Sequence, residues 1–192
     1  MKIRSLRSLF LVLAVTGLAV SGRAAADKWK IDPVHSSVGF TVRHFVSKVP
    51  GNFARFEGTI VFDKANPTAS TVEATIQSTS VTTNNEKRDA HLGSGDFFLT
   101  EKFPALKFKS KSWTKTGEDT YGIVGDLTIK DITKEVTLAT KLLGVGLGAG
   151  GKTISGWEAT TKIDRRDFGI TYGPAVVGND VDILINIQAA KQ

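Results

Sequence analysis

The chain has 192 residues, 41% of them hydrophobic, with 25 lysine or arginine and 19 aspartate or glutamate residues. Four of the basic residues and none of the acidic ones lie within residues 1–26, so residues 27–192 carry 21 basic against 19 acidic side chains, and composition gives no support for nucleic-acid binding. Because cysteine is absent, disulfides, thiol nucleophiles and cysteine-ligated metals are excluded, and a hydrophobic core must supply the stability.

The N-terminal 26 residues have the pattern of a cleavable signal peptide. Three basic residues precede a short apolar run, Leu9–Val20, and Ala24 and Ala26 have the small side chains and the spacing that signal peptidase recognises. The apolar run is short for a membrane span, although an uncleaved anchor is the alternative interpretation. We expect cleavage after Ala26, a single mature domain over residues 27–192, and a periplasmic location.

Eight runs of strand length follow, and apolar and polar residues alternate in each of them, as in strands with one buried face. One helix is predicted in "NNEKRDAHLG", capped by Asn84 or Asn85 and ended by Gly93. Many short strands with almost no helix predict an all-β fold, either an antiparallel sandwich or a barrel, and eight strands suit a closed barrel. The runs are 37–44, 56–63, 71–78, 105–113, 121–129, 136–142, 157–163 and 181–189.

The small residues in these runs bear on whether the barrel interior is filled or hollow. An eight-stranded barrel has room for its own side chains or for one elongated ligand. Gly39, Gly58, Ala74 and Ala159 lie on or beside the apolar faces, where they either fit the taper of a filled barrel or leave space for a ligand. The glycine-rich segment 144–151 is predicted to be a flexible hairpin loop, since no helix follows it that could receive a phosphate.

The histidines do not have the spacing of a metal site. His35 and His44 would lie about 30 Å apart on one continuous strand, and their odd spacing places them on opposite faces. A shared zinc ion needs ligands at about 2 Å, so we predict no metal site. His35 is interpreted as a hydrogen-bonded structural residue at a strand start, and His44 as a rim residue or a contact to a ligand headgroup.

Two charged clusters are candidates for catalysis. In "EKRDAHL", a solvated helix face is the usual explanation, although Arg88 could pair with Asp89 or with a phosphate. In "IDRRDFG", Asp164 and Asp167 could be an acid–base pair, but the interleaved arginines lower carboxyl pKa values and favour ion pairs at a turn. Other enzyme motifs are absent from the sequence, so we predict no catalytic residue and no cofactor.

Several blocks along the chain, taken together, resemble the YceI family of periplasmic polyisoprenoid-binding proteins. They are "WKIDPVHSSVGFTVRH", "GNFARFEGTIVFD", "KRDAHLGSGDFF", "FPALKFKS", "GDLTIKDITKEVTL", "KIDRRDFGI" and "VGNDVDILINI", which follow one another from residue 29 to residue 187. The resemblance implies a lipocalin-like antiparallel β-barrel with an associated helix. It also implies a lumen that holds a long isoprenoid or other lipid chain with its polar head near the mouth. A homodimer is a further expectation from the resemblance alone.

The apolar faces of the alternating runs supply the candidate lumen residues, each of which could instead be ordinary core. The candidates are Val38, Phe40, Val42, Phe56, Ile60, Phe62, Val72, Ile76, Leu106, Phe108, Ile123, Leu127, Ile129, Leu138, Trp157, Ile183 and Ile185. The candidate headgroup contacts are His35, His44, Arg88 and His91.

Three functions are therefore compared. The first is a periplasmic protein that binds, transports or sequesters a long-chain isoprenoid or related lipid. The second is an enzyme that acts on such a lipid through His35, His44 or the Asp164 and Asp167 region. The third is an interaction or stress protein whose barrel is filled by its own side chains. A cavity of ligand size separates the first two from the third.

Overall fold

The computed structural model describes residues 26–192, so the expected signal peptide lies outside the described residues except for its last residue, Ala26. Within this range there are eleven strands, one α-helix and five short 3₁₀ turns, and no helix is long and apolar enough to cross a membrane. The helix α1 is Glu86–Gly93. The strands are β1 Asp27–Ile31, β2 Ser37–His44, β3 Ser47–Phe53, β4 Phe56–Phe62, β5 Thr71–Gln77, β6 Val81–Thr82, β7 Ala105–Gly117, β8 Thr120–Ile129, β9 Ile132–Leu147, β10 Thr153–Asp164 and β11 Val177–Lys191.

Eight of these strands close into an antiparallel barrel, as expected. Their order is β1-β4-β5-β7-β8-β9-β10-β11, and β1 closes the ring by pairing with the end of β11, where Ile31 lies opposite Ala189. The first part of β11 pairs instead with β2, which continues the wall through β3 and β6. The predicted number of strands is therefore right for the closed ring, but β1 takes the ring position that the alternating pattern assigned to β2.

Strand β3 was not predicted because its sequence, "SKVPGNF", contains two turn-forming residues. Pro50 lies in the part of β3 that β6 does not cover, an edge position where proline is tolerated. Gly51 lies directly opposite Phe40, and the ring of Phe40 covers it so closely that a Cβ there would be 2.3 Å from Cζ. The glycine thus accommodates an aromatic ring that packs flat against the barrel wall.

The predicted helix is present, it ends at Gly93 as predicted, and Asn85 is the cap of the two candidates. Asn85 is the N-cap, and its side-chain oxygen accepts a hydrogen bond from the backbone N–H of Arg88 at 3.0 Å. Asp89 accepts hydrogen bonds from the backbone N–H of Thr83 at 2.8 Å and from the hydroxyl of Thr82 at 3.1 Å. These bonds fix the helix to β6 across one end of the barrel.

Candidate ligand cavity

The barrel encloses an apolar cavity. About 230 Å³ of it is open to the centre of a water molecule, many times the roughly 10–15 Å³ that one structural water needs. Every residue of its wall is hydrophobic or glycine except Thr140, Thr161 and Arg165. The alternation of the strands produces this wall, since one apolar face of each strand points inward. The side chains of the barrel therefore leave an apolar space at its centre, slightly smaller than the roughly 300 Å³ at the lower end of ligand pockets.

A cluster of aromatic rings blocks one end of the cavity, which we call the closed end. Phe62 packs against Trp157 with ring centroids 4.9 Å apart and against Tyr121 at 5.5 Å, and Trp113 lies 6.1 Å from Trp157. Trp157 donates a hydrogen bond from Nε1 to the hydroxyl of Ser155 at 3.0 Å. Trp113 and Trp157 are only 2% and 3% exposed, so this end offers no passage to a ligand.

The opposite end of the barrel, which we call the entrance end, is covered by segments outside the closed ring. It carries the β2–β3 turn, helix α1 with the residues that follow it, and the loop between β10 and β11. Four cavity-wall residues from these segments and the adjoining strand start are partly exposed: Leu92, Phe97, Phe98 and Val177. These residues lie at the end opposite the buried rings.

The structure places sixteen of the seventeen candidate lumen residues in the cavity wall. They are Val38, Phe40, Val42, Phe56, Ile60, Val72, Ile76, Leu106, Phe108, Ile123, Leu127, Ile129, Leu138, Trp157, Ile183 and Ile185. The exception is Phe62, which is buried inside the aromatic cluster of the closed end and is not part of the wall. Contact of these residues with a ligand stays a prediction.

The four candidate headgroup residues are not gathered at one place. His35 is exposed on the outside of the barrel, away from the cavity wall, where its Nδ1 donates to Asp32 Oδ2 at 2.7 Å. The hydrogen bond from His35, followed by the one from the backbone of Val34, holds the pKa of Asp32 below its usual value. This geometry agrees with the structural interpretation of His35. His44, by contrast, lies at the entrance end, with its ring 5.0 Å from that of Phe45.

The helix contributes the other two candidates. His91 Nε2 lies 2.8 Å from Asp96 Oδ2, and its ring packs edge-on against Phe97 at 5.1 Å and Tyr172 at 4.9 Å, so it lies at the entrance end. Arg88 donates from Nε to the hydroxyl of Thr83 at 2.7 Å and from Nη2 to the backbone oxygen of the same residue at 2.9 Å. Part of the Arg88 guanidinium is therefore already engaged in holding the helix to β6.

Sequence reasoning missed the wall residues that come from outside the alternating runs. Phe97 and Phe98 follow the helix in a turn, and Phe168 and Ile170 follow β10, so neither pair shows a period of two. The sequence pattern predicts ion pairs for the arginines of this turn. Arg165 is instead only 5% exposed, and its guanidinium donates three hydrogen bonds to backbone oxygens: Ile170 at 2.9 Å in the β10–β11 connection, and Gly178 at 2.8 Å and Val177 at 3.1 Å at the start of β11.

The ion pair at this turn is formed by its neighbours. Arg166 Nε lies 3.0 and 3.1 Å from the two carboxylate oxygens of Asp164. Hydrogen bonding from the Arg166 side chain and then from its backbone lowers the pKa of Asp164 to about 2. A carboxyl group of this kind is ionised at neutral pH and is a poor general acid, as the sequence pattern predicts. Among residues 26–192, no three histidine, aspartate or glutamate side chains are placed to hold a metal ion.

An antiparallel barrel closed by eight strands, with an apolar cavity reached from one end, defines a lipocalin-like β-barrel. Residues 29–189 match the YceI-like domain, and the chain belongs to this family. It is 41% identical to the protein YceI of Escherichia coli over 175 residues, which cover 90% of this chain and 91% of that protein.

Two solved structures have the same fold. BcnA of Burkholderia cenocepacia superposes with a TM-score of 0.76 at 21% identity, covering 82% of this chain and 98% of that one. A polyisoprenoid binding domain from Saccharophagus degradans superposes with a TM-score of 0.62 at 11% identity, covering 88% of this chain and 100% of that domain. At these identities the likeness concerns the fold alone.

Proposed function

We propose that this protein binds a long-chain isoprenoid, or a lipid with a similarly long apolar chain, inside the barrel. The observation that carries the proposal is the cavity wall, which is apolar apart from two threonines and Arg165. Membership of the YceI-like family and the likeness to a polyisoprenoid binding domain support the same ligand class.

The energetics favour a long chain over a small polar molecule. Each methylene group that moves from water into the cavity contributes about 0.8 kcal/mol, so a few isoprene units supply substantial affinity without a strong polar anchor. A polar group placed deep in the cavity would lose its hydrogen bonds to water and find few replacements there. The chain of the ligand therefore extends toward the closed end, and its polar head stays at the entrance end near His44 and His91.

The N-terminal pattern of residues 1–26 supports export, and the proposed role is binding, transport or sequestration of the lipid in the periplasm. Of the residues considered for chemistry on the ligand, the Asp164 carboxyl is held ionised by Arg166, and His35 lies outside the cavity wall. A binding protein is thus better supported than an enzyme. Light scattering would test the homodimer that the family resemblance implies.

Native mass spectrometry of the protein purified from its own cell tests the proposal. The expected result is a bound species of long-chain lipid mass, which is replaced when a prenyl alcohol is supplied from cyclodextrin. Recovery of ligand-free protein that also fails to retain the added prenyl alcohol would contradict the proposal. Chemical analysis of the lipid after prolonged incubation separates the two remaining functions, because a carrier returns it unchanged.

A further inference from the structure

Two uncharged segments lie side by side at the entrance end. They are the turn Phe45–Val46 and the segment 172–176 ("YGPAV"), which together we call the entrance lip. Phe45 is 57% exposed, Val46 is fully exposed, and Tyr172 is 47% exposed. The backbone N–H of Phe45 donates to the backbone oxygen of Val176 at 2.8 Å and joins the two segments. The lip is therefore one apolar surface that faces solvent.

The entrance lip continues directly into the cavity. Val177 follows the second segment, Val42 precedes the turn by three residues, and both belong to the cavity wall. Strands β2 and β11 pair in this region and bring the two valines close together: His44 lies opposite Val177, and Val42 lies opposite Val181. His44, which has the same parity as Val42, lies between the lip and this wall, so a lipid chain entering from the lip would pass one imidazole before it reaches the apolar surface.

The turn at the tip of the lip is built from residues that do not favour it. His44 pairs with Ser47, so Phe45 and Val46 are the two central residues of a tight hairpin turn. Phe45 has a φ of 49°, in the left-handed region where glycine or asparagine is the usual choice. A bulky aromatic residue in this conformation, with its ring exposed, stabilises neither the turn nor the core. Such local strain is typical of a segment that is selected for a contact.

The charges around the lip indicate what it contacts. Arg43, His44 and Lys48 flank the turn, and no acidic residue occurs between residues 33 and 56. Lys48 Nζ lies 3.4 Å from Oδ2 of Asp182 on β11, and beside the other segment Asp96 pairs with His91, whose ring packs against Tyr172. An exposed apolar tip with basic residues beside it is the arrangement that inserts into the surface of an anionic bilayer.

We propose that the entrance lip inserts into the surface of an anionic lipid membrane, so that the ligand passes directly between bilayer and cavity. The use of this contact for loading rests on the proposed lipid-binding function, whereas the membrane contact itself does not. The chain has another exposed apolar group, Leu143, Val145 and Leu147 on the β9–β10 hairpin, but it lies at the closed end, away from the cavity entrance. That group also has lysines beside it, Lys141 and Lys152, and differs from the lip in its distance from the entrance, so it provides the matched control.

The first experiment locates the membrane contact. The protein is purified as its own cell produces it. It is then mixed with phosphatidylcholine vesicles that contain about one-third phosphatidylglycerol. The acyl chains carry bromine, which quenches tryptophan fluorescence. The three native tryptophans, Trp29, Trp113 and Trp157, are buried. A Phe45→Trp variant should therefore show strong quenching that the native protein lacks, while a Leu147→Trp variant, at a site 80% exposed, should show none. Equal quenching of the two variants, quenching of the Leu147→Trp variant alone, or quenching of neither overturns the proposal.

The second experiment separates docking from ligand binding. A Phe45→Ser, Val46→Ser double variant should lose at least tenfold in vesicle binding, and high salt should weaken the binding of the native protein. The double variant should take up a prenyl alcohol from cyclodextrin with native stoichiometry, yet load from vesicles at least tenfold more slowly. If the native protein takes up no prenyl lipid from either source, the proposed function fails while the docking result stands. If the double variant binds vesicles as well as the native protein does, the proposed membrane contact is wrong, whether or not the substitutions also disrupt a dimer.

Discussion

Replacement of Gly51 by alanine should push an aromatic ring into the ligand cavity. A Cβ at this position would lie 2.3 Å from Cζ of Phe40 and 2.8 and 2.9 Å from its two Cε atoms, well inside the 3.4 Å of an ordinary contact. The ring must therefore move by about 1 Å or more, and it moves inward because Phe40 belongs to the cavity wall. Overpacking of this kind costs about 1–3 kcal/mol. Alanine also restricts the unfolded chain more than glycine does, which offsets up to about 1 kcal/mol of this loss of stability.

The expected net loss in the free energy of unfolding is about 1–2 kcal/mol, measured by urea denaturation. Gly39→Ala is the matched control on the neighbouring strand, since the nearest atom to its new Cβ is a backbone oxygen at 3.4 Å. The control should lose no stability. If the ring displaces about one methylene group of ligand, prenyl alcohol affinity should fall about fourfold in Gly51→Ala alone. Equal stability and equal affinity in the two variants would refute the reasoning, and a Phe40→Leu change added to Gly51→Ala should restore stability.

Two further predictions concern the β10–β11 connection. Arg165→Met should lower the free energy of unfolding by about 3 kcal/mol or more, because three backbone oxygens lose a buried charged donor; urea denaturation no different from the native protein would contradict this. The pKa of Asp164 is lowered to about 2 from 3.8, so its stabilising contribution is complete above about pH 4 and is lost as the pH falls toward 2. Thermal unfolding from pH 5 to 2 should therefore show a smaller loss of stability in Asp164→Asn than in the native protein. Parallel curves would show that the pair with Arg166 does not contribute.

The alternating pattern predicted the side of the sheet on which a residue lies but not its height along the barrel. Phe62 has the same parity as Ile60 and points inward as expected, yet it lies one pair further along β4 and enters the aromatic cluster of the closed end. Ile60 remains in the cavity wall. A period of two contains no information about where along a strand the lumen ends, because that depends on neighbouring strands.

The unpredicted parts of the wall have a different cause. Phe97 and Phe98 occur in a turn after the helix, where no periodicity marks a buried face, and only the folding of that turn across the barrel end brings them to the cavity. Strand β1 is too short to show a pattern, although Trp29 within it is nearly fully buried. Helix α1, in contrast, was predicted to within one residue at its start and to the residue at its end, Gly93, because an asparagine cap is a local signal.

The fluorescence of the aromatic cluster at the closed end should report how far a ligand extends into the cavity. The chain has three tryptophans, and two of them, Trp113 and Trp157, form the part of the cavity wall farthest from the entrance. The indole N–H of Trp113 is buried without a hydrogen-bond partner among the described residues, so its emission should respond to whatever reaches it. In a series of prenyl alcohols of increasing length, short members should bind without changing the fluorescence. The first member that shifts the emission measures the depth of the cavity.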